Sequence, residues 1–145
     1  VHPVQIAHER DDRIKRLAGK IDRVLVDSPC SGLGTLRRNP DLKWRQSPQS
    51  VDELKVKQAA ILASASRLVK PGGRLVYATC SLLTTENQQI VDAFLAAHPQ
   101  FTALNCGELL QKQGITLECG DHMQLWPHIH RTDGFFAVAL ERAAS

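Results

Sequence analysis

Hydrophobic positions along the chain fall into short blocks whose spacing alternates between strand-like and helix-like. Ile21-Asp22-Arg23-Val24-Leu25-Val26 is β-branched and nearly continuous in apolar character, the pattern of a strand covered on both faces. It ends at Asp27. Leu54, Ile61, Leu62, Ala65, Leu68 and Val69 then recur at helical spacing, and Ser50 with Glu53 three residues on predicts a capping box at the start of that helix. Pro71-Gly72-Gly73 stops it, and Arg74-Leu75-Val76-Tyr77-Ala78 predicts the next strand of a strand, helix, strand unit. Ile90, Val91, Phe94 and Leu95 share one face of a second helix, capped by Thr85 with Gln88 and ended by His98-Pro99. Phe101 to Leu104 reads as a strand and Phe135 to Leu140 as a last one, antiparallel to its neighbour. The amino end predicts a short strand at Val4 to Ala7 and a charged helix from Glu9 to Leu17 that closes at Gly19. Residues 105–133 carry no clear period, and no internal repeat is present.

Composition narrows the class. With 145 residues, 43% apolar and 23% charged, the chain suits one globular domain with a single core. No stretch approaches the roughly 18 apolar residues of a membrane helix, and Val1 to Arg16 mixes His, Glu, Asp and Arg in a way no signal peptide does. The expectation is a cytoplasmic protein whose four cysteines are reduced thiols. A start at Val1 rather than at methionine reads as an excised piece of a longer protein. A net charge of +3 permits a polyanionic partner without requiring one. Clustering says more than the total: Arg37, Arg38, Lys43 and Arg45 surround Trp44 inside Ser28 to Ser47, a Gly- and Pro-rich segment that reads as a long functional loop.

Two of the cysteines occupy special places. Cys30, in Asp27-Ser28-Pro29-Cys30-Ser31-Gly32, and Cys80, in Tyr77-Ala78-Thr79-Cys80-Ser81, each follow a strand and are flanked by loop-forming residues. Free cysteine more often packs as a small hydrophobe, and Cys106 and Cys119 fit that description. In open parallel sheets, however, chemistry collects at the carboxyl ends of the strands, so Cys30 and Cys80 are expected to face one crevice. Gly32 and Gly34 would let that loop approach a ligand closely, and Pro29 would fix the backbone beside Cys30.

Asp27-Ser28-Pro29-Cys30-Ser31-Gly32-Leu33-Gly34-Thr35, Arg37-Arg38-Asn39-Pro40-Asp41 and Tyr77-Ala78-Thr79-Cys80-Ser81, in that order, closely resemble the Sun-type RNA cytosine-5 methyltransferases. Trp126-Pro127-His128 and Asp133-Gly134-Phe135-Phe136 look like that family's last motif. The bacterial 16S ribosomal RNA enzymes are the nearest members. The likeness runs from about Ile21 to Arg142 within a single partial methyltransferase domain filling residues 1–145. It implies an α/β, Rossmann-like S-adenosylmethionine-dependent methyltransferase sheet of order 3-2-1-4-5-7-6 with an antiparallel final strand. Here Val4 to Ala7 would be strand three, Ile21 to Val26 strand four and Arg74 to Ala78 strand five. Strands one and two and the glycine-rich cofactor loop would be absent, so the fragment alone is expected to bind S-adenosylmethionine weakly or not at all and to be inactive.

By the same resemblance, Cys80 attacks carbon 6 of cytosine, carbon 5 accepts the methyl group, and Cys30 assists release as general base. Asp27 would contact the cytosine, or the cofactor together with His8, which stands where the family usually carries an aspartate near the adenine. Pro29, Arg37, Arg38, Lys43 and Trp44 would hold the RNA through phosphate contact and stacking. Three rival readings remain. DNA cytosine-5 methylation lacks its Glu-Asn-Val motif here; Cys119, His122, His128 and His130 have spacings zinc would tolerate; and a fragment without the cofactor loop would serve as an RNA-binding or structural module. Loss of strands one and two further predicts an amino-terminal segment that is disordered, re-docked or paired with another chain, and a bare strand edge open to self-association.

Overall fold

The computed structural model describes all 145 residues. Along the chain run α1 (Asp12–Lys15), β1 (Ile21–Asp27), a 3-10 turn (Leu33–Thr35), α2 (Leu42–Arg45), α3 (Pro48–Ser66), β2 (Val69–Thr79), α4 (Gln88–Ala97), β3 (Phe101–Ala103), α5 (Cys106–Lys112), β4 (Met123–Leu125), α6 (Pro127–His130) and β5 (Phe135–Arg142). The sheet has the order β1-β2-β5-β3, with β4 also on β5. Only β1 and β2 are parallel; β5 runs antiparallel to β2, β3 and β4. This is the 4-5-7-6 half of the expected order, and the last strand has the expected direction.

Alternation fixes which side of the sheet is inside. Leu75 and Tyr77 of β2 and Phe136, Val138 and Leu140 of β5 are buried, two residues apart as strand geometry requires. They form one core with Val26, Leu62 of α3, and Ile90, Val91 and Phe94 of α4. β1 departs from the expectation of a strand covered on both faces, because Leu25 on its far side is 69% exposed and its outer edge has no neighbour.

Local signals are shifted in four places. The long helix starts at Ser47, not Ser50: Ser47 and Ser50 cap each other reciprocally, and Pro48, whose missing N–H costs nothing in the first turn, takes the first helical position. Val69 belongs to β2 and not to the helix. Val69 pairs with Ile21 and Arg74 with Arg23, so Pro71-Gly72-Gly73 is a bulge within the strand. Thr85 does not cap α4; Asn87 stands at the cap position and turns its side chain inward to Ser81 O and Thr79. Residues 105–133, which lacked a period, hold α5, β4 and α6.

Val4 to Ala7 forms no strand, since no strand edge lies beside it. The segment runs beside α3, where Ile6, Ala7 and His8 line a groove with Ile61, Ala65 and Leu68 and the Ser64 hydroxyl donates to Glu9 O. The expected helix over Glu9 to Leu17 shortens to α1, capped by the Asp11 carboxylate accepting from Arg13 N. Gly19 closes that region as expected, in the left-handed conformation at φ 67°.

Candidate active site

Parallel pairing of β1 with β2 brings Asp27 opposite Ala78, and each strand ends in a loop carrying a cysteine. Ser28 N donates to Ala78 O at 2.9 Å, holding the two loops side by side as they leave the sheet. Cys30 and Cys80 meet: their Sγ atoms are 3.4 Å apart, both half-buried and both free. The pair is asymmetric. A hydrogen bond from Cys30 holds the Cys80 thiol down at about 7, against burial and the nearby negative charges of Asp27 and Glu86. Donation to Cys80, with burial, raises Cys30 well above the ordinary thiol range. The asymmetry makes Cys80 the sulfur that ionises more readily and Cys30 the one that keeps its proton.

The third segment arrives from the carboxyl-terminal side. Gly34 N donates to Cys80 O at 2.8 Å, and Gly134 N donates to Gly34 O at 2.7 Å. A Cβ on Gly34 would lie 2.6 Å from Cys80 O, so only glycine lets the three backbones meet here. Asp133, next to Gly134, pairs with Arg37 at 3.4 Å and Arg38 at 2.5 Å, and Arg37 also donates to Arg131 O at 3.0 Å. Both arginines expected to face phosphate therefore already bind the Asp133 strand entry, while keeping exposed outer surfaces.

Other expected site residues are placed as follows. Asp27 is exposed at the carboxyl end of β1, three residues from Cys30. Pro29 is exposed, and its carbonyl accepts from Gln58 Nε2 at 2.9 Å. Lys43 and Trp44 lie on α2, with the Lys43 ammonium 4.9 Å from the centre of an indole ring that is 81% exposed. His8 is exposed and lines the groove beside α3. No three His, Cys, Asp or Glu side chains gather as a ligand set. His122 packs on Phe136, and His130 accepts from Trp126 N at 2.9 Å. Cys106 is raised to about 11 by burial and by contact with Cys119, which fits the packing role expected of both.

Sequence reasoning missed Glu86, Gln58, Ser31 and Ser81, a fully buried polar cluster beneath the thiols. A signal was present. Each site cysteine is followed directly by serine, and the two hydroxyls end 3.3 Å apart on a shared partner, Glu86.

The sequence model of the family described as 16S rRNA methyltransferase RsmB/F matches residues 2–141. A putative methyltransferase of Mycobacterium tuberculosis is 45% identical over 91% of the chain, and the match spans 29% of that relative. The probable ribosomal RNA small subunit methyltransferase B of Bacillus subtilis is 35% identical over 97% of the chain and 36% of its own length. Among solved structures, NSun6 from Pyrococcus horikoshii with SFG superposes with a TM-score of 0.76 at 26% identity, covering 98% of this chain and 34% of that one. The chain thus spans about a third of such relatives. No helix is long and apolar enough to cross a membrane. Motif order, strand order and a match over nearly every residue agree, and the chain belongs to the RsmB/F family of 16S rRNA methyltransferases.

Proposed function

We propose that these residues form the catalytic part of an enzyme that methylates carbon 5 of cytosine in 16S ribosomal RNA through a covalent cysteine–RNA intermediate. The carrying observation is the asymmetric thiol pair at 3.4 Å. Carbon 5 of cytosine is a weak nucleophile until another nucleophile adds at carbon 6, and the Cys80 thiolate is suited to that addition. Addition converts Cys80 to a thioether and so removes the hydrogen bond that held the proton on Cys30. Cys30 then releases that proton to water and, as a thiolate, accepts the proton from methylated carbon 5 while the carbon–sulfur bond to Cys80 breaks. Both thiols return to their starting states, and one proton is released per turnover. Asp27, exposed beside the pair, would hydrogen-bond the cytosine edge.

S-adenosylmethionine supplies the methyl group in this reading, which gains support from the Pyrococcus relative solved with SFG. The sheet of this chain corresponds to strands four to seven of the expected order, without the strands one and two and the glycine-rich loop that the resemblance assigns to the cofactor, which leaves Asp27 and His8 as the candidates here. The isolated 145-residue chain is accordingly proposed to be a partial domain with negligible cofactor affinity and no activity. Clear saturation in a calorimetric titration with S-adenosylmethionine would overturn that. The unpaired outer edge of β1 would let the isolated chain self-associate, and a monomer at every concentration in sedimentation would remove the idea. For the reaction itself, the full-length protein is supplied with labelled donor and ribosomal RNA. Cys80→Ala is expected to abolish transfer and Cys30→Ala to accumulate a denaturant-resistant RNA adduct; full activity in both would refute the mechanism.

A further inference from the structure

Glu86 lies between β2 and α4, is 0% exposed, and takes part in no ion pair. Its Oε1 accepts from Ser31 N at 2.8 Å and from Gln58 Nε2 at 3.1 Å. Its Oε2 accepts from the Ser31 hydroxyl at 2.6 Å and from the Ser81 hydroxyl. Ser31 follows Cys30 and Ser81 follows Cys80, so one carboxylate grips both loops a single residue beyond each thiol. Gln58 extends the grip to the other side of Cys30 by donating to Pro29 O at 2.9 Å. The backbone of Glu86 is itself fixed, since Tyr77 OH donates to its carbonyl at 2.7 Å. A carboxylate buried among neutral donors is costly to bury, and core packing alone would be served as well by an apolar side chain.

We infer that Glu86 is the positioning residue of the thiol pair, the group that sets the spacing of Cys30 and Cys80 by clamping Ser31 and Ser81 to one carboxylate. The inference rests on the reading of Cys30 and Cys80 as a working pair, but its test uses sulfur chemistry alone, without RNA or methyl donor. Loss of methyl transfer with an intact thiol assay would therefore discredit the enzyme reading and leave the clamp standing.

In the test, the full chain and its Glu86→Ala, Glu86→Gln and Glu86→Asp variants are treated with diamide. The reagent takes two electrons and two protons from Cys30 and Cys80, forming a disulfide and a hydrazine, and the linked peptides are followed by mass. Proximity reactions lose about 100-fold for displacements near 1 Å, so Glu86→Ala is expected to slow the Cys30–Cys80 bond by roughly 10- to 100-fold. Oxidation of Cys106 and Cys119 should be unchanged. Glu86→Gln should retain most of the rate, because its oxygen can accept from Ser31 N and Gln58 while its amide donates to rotated hydroxyls. In that variant the pH midpoint for alkylating Cys80 should fall, since a negative charge opposing the thiolate is gone. A purely structural role would lower the melting temperature and move neither readout. A folded Glu86→Ala protein with a wild-type disulfide rate overturns the inference. Should that variant not fold, Glu86→Asp decides: its shorter arm must slow the bond at least about threefold, and an unchanged rate overturns the inference.

Discussion

Replacing Cys30 with alanine isolates the contact that makes Cys80 reactive. Cys80 titrates at about 7 because Cys30 donates to its sulfur, whereas an ordinary cysteine titrates near about 8.5. Without that donor, burial and the charges of Asp27 and Glu86 all disfavour the thiolate, so the midpoint rises to the ordinary value or above. At pH 7 the thiolate population then falls from about one half to about 3%, a roughly 15-fold loss. A more basic thiolate is also a better nucleophile, and a Brønsted slope of about 0.4–0.5 over this interval returns roughly four- to sixfold. The net result at pH 7 is a drop of only about threefold, and above about pH 8 the variant becomes the faster of the two.

Crossing profiles are the signature, and they separate this cause from simple damage to the site, which would lower the rate at every pH. Iodoacetamide labelling of Cys80, resolved by peptide mass between about pH 5.5 and 9.5, measures both curves while leaving Cys106 and Cys119 as internal references. Cys30→Ser keeps a hydroxyl donor and should fall between wild type and alanine. Superimposable curves for Cys30→Ala and wild type would refute the assignment of Cys30 as the donor that activates Cys80.

Gly34→Ala would force apart backbones that now meet at Cys80 O and Gly134 O. Overpacking and two weakened hydrogen bonds together should cost about 2–4 kcal/mol in urea unfolding, and a loss below about 0.5 kcal/mol would contradict the packing described. Asp133→Ala frees Arg37 and Arg38, whose side chains are half or more exposed. Stability should change by less than about 1 kcal/mol, while retention of RNA should rise and depend more steeply on salt, as added phosphate contacts require; unchanged salt dependence would show that the two arginines do not reach phosphate.

The sequence was most readable where a rule involves only neighbours. β1, α3, α4 and β5 lie close to their expected limits, because unbroken apolar blocks and helical spacing are local properties, whereas β2 begins at Val69, ahead of its apolar block, because its bulge keeps the earlier residues paired with β1. What misled was competition from distant groups. Ser50 with Glu53 satisfies the capping pattern, but Pro48 prefers the first turn and moves the start to Ser47. Val4 to Ala7 has strand-like residues, yet a strand needs a partner edge and none is present beside it. At the site, Cys30 and Cys80 are legible from their place after strands, whereas no local pattern around Glu86 marks it as buried. Its role depends on Ser31 and Gln58, which lie 55 and 28 residues away.

Convergence at one edge explains how motifs a hundred residues apart come to share chemistry. β1 and β2 are parallel, so their carboxyl ends lie together, and Asp27 and Ala78 are partners. β5 is antiparallel to β2, with Phe136 opposite Thr79, so its amino end lies at that same edge. Its leading residues, Asp133 and Gly134, therefore arrive beside the thiol loops without further elements to carry them. An all-parallel arrangement would send the amino end of β5 to the opposite side of the sheet and leave Gly34 and Arg38 without their partners. The reversed last strand is thus the feature that closes the cysteine loops from above, while Glu86 holds them from below.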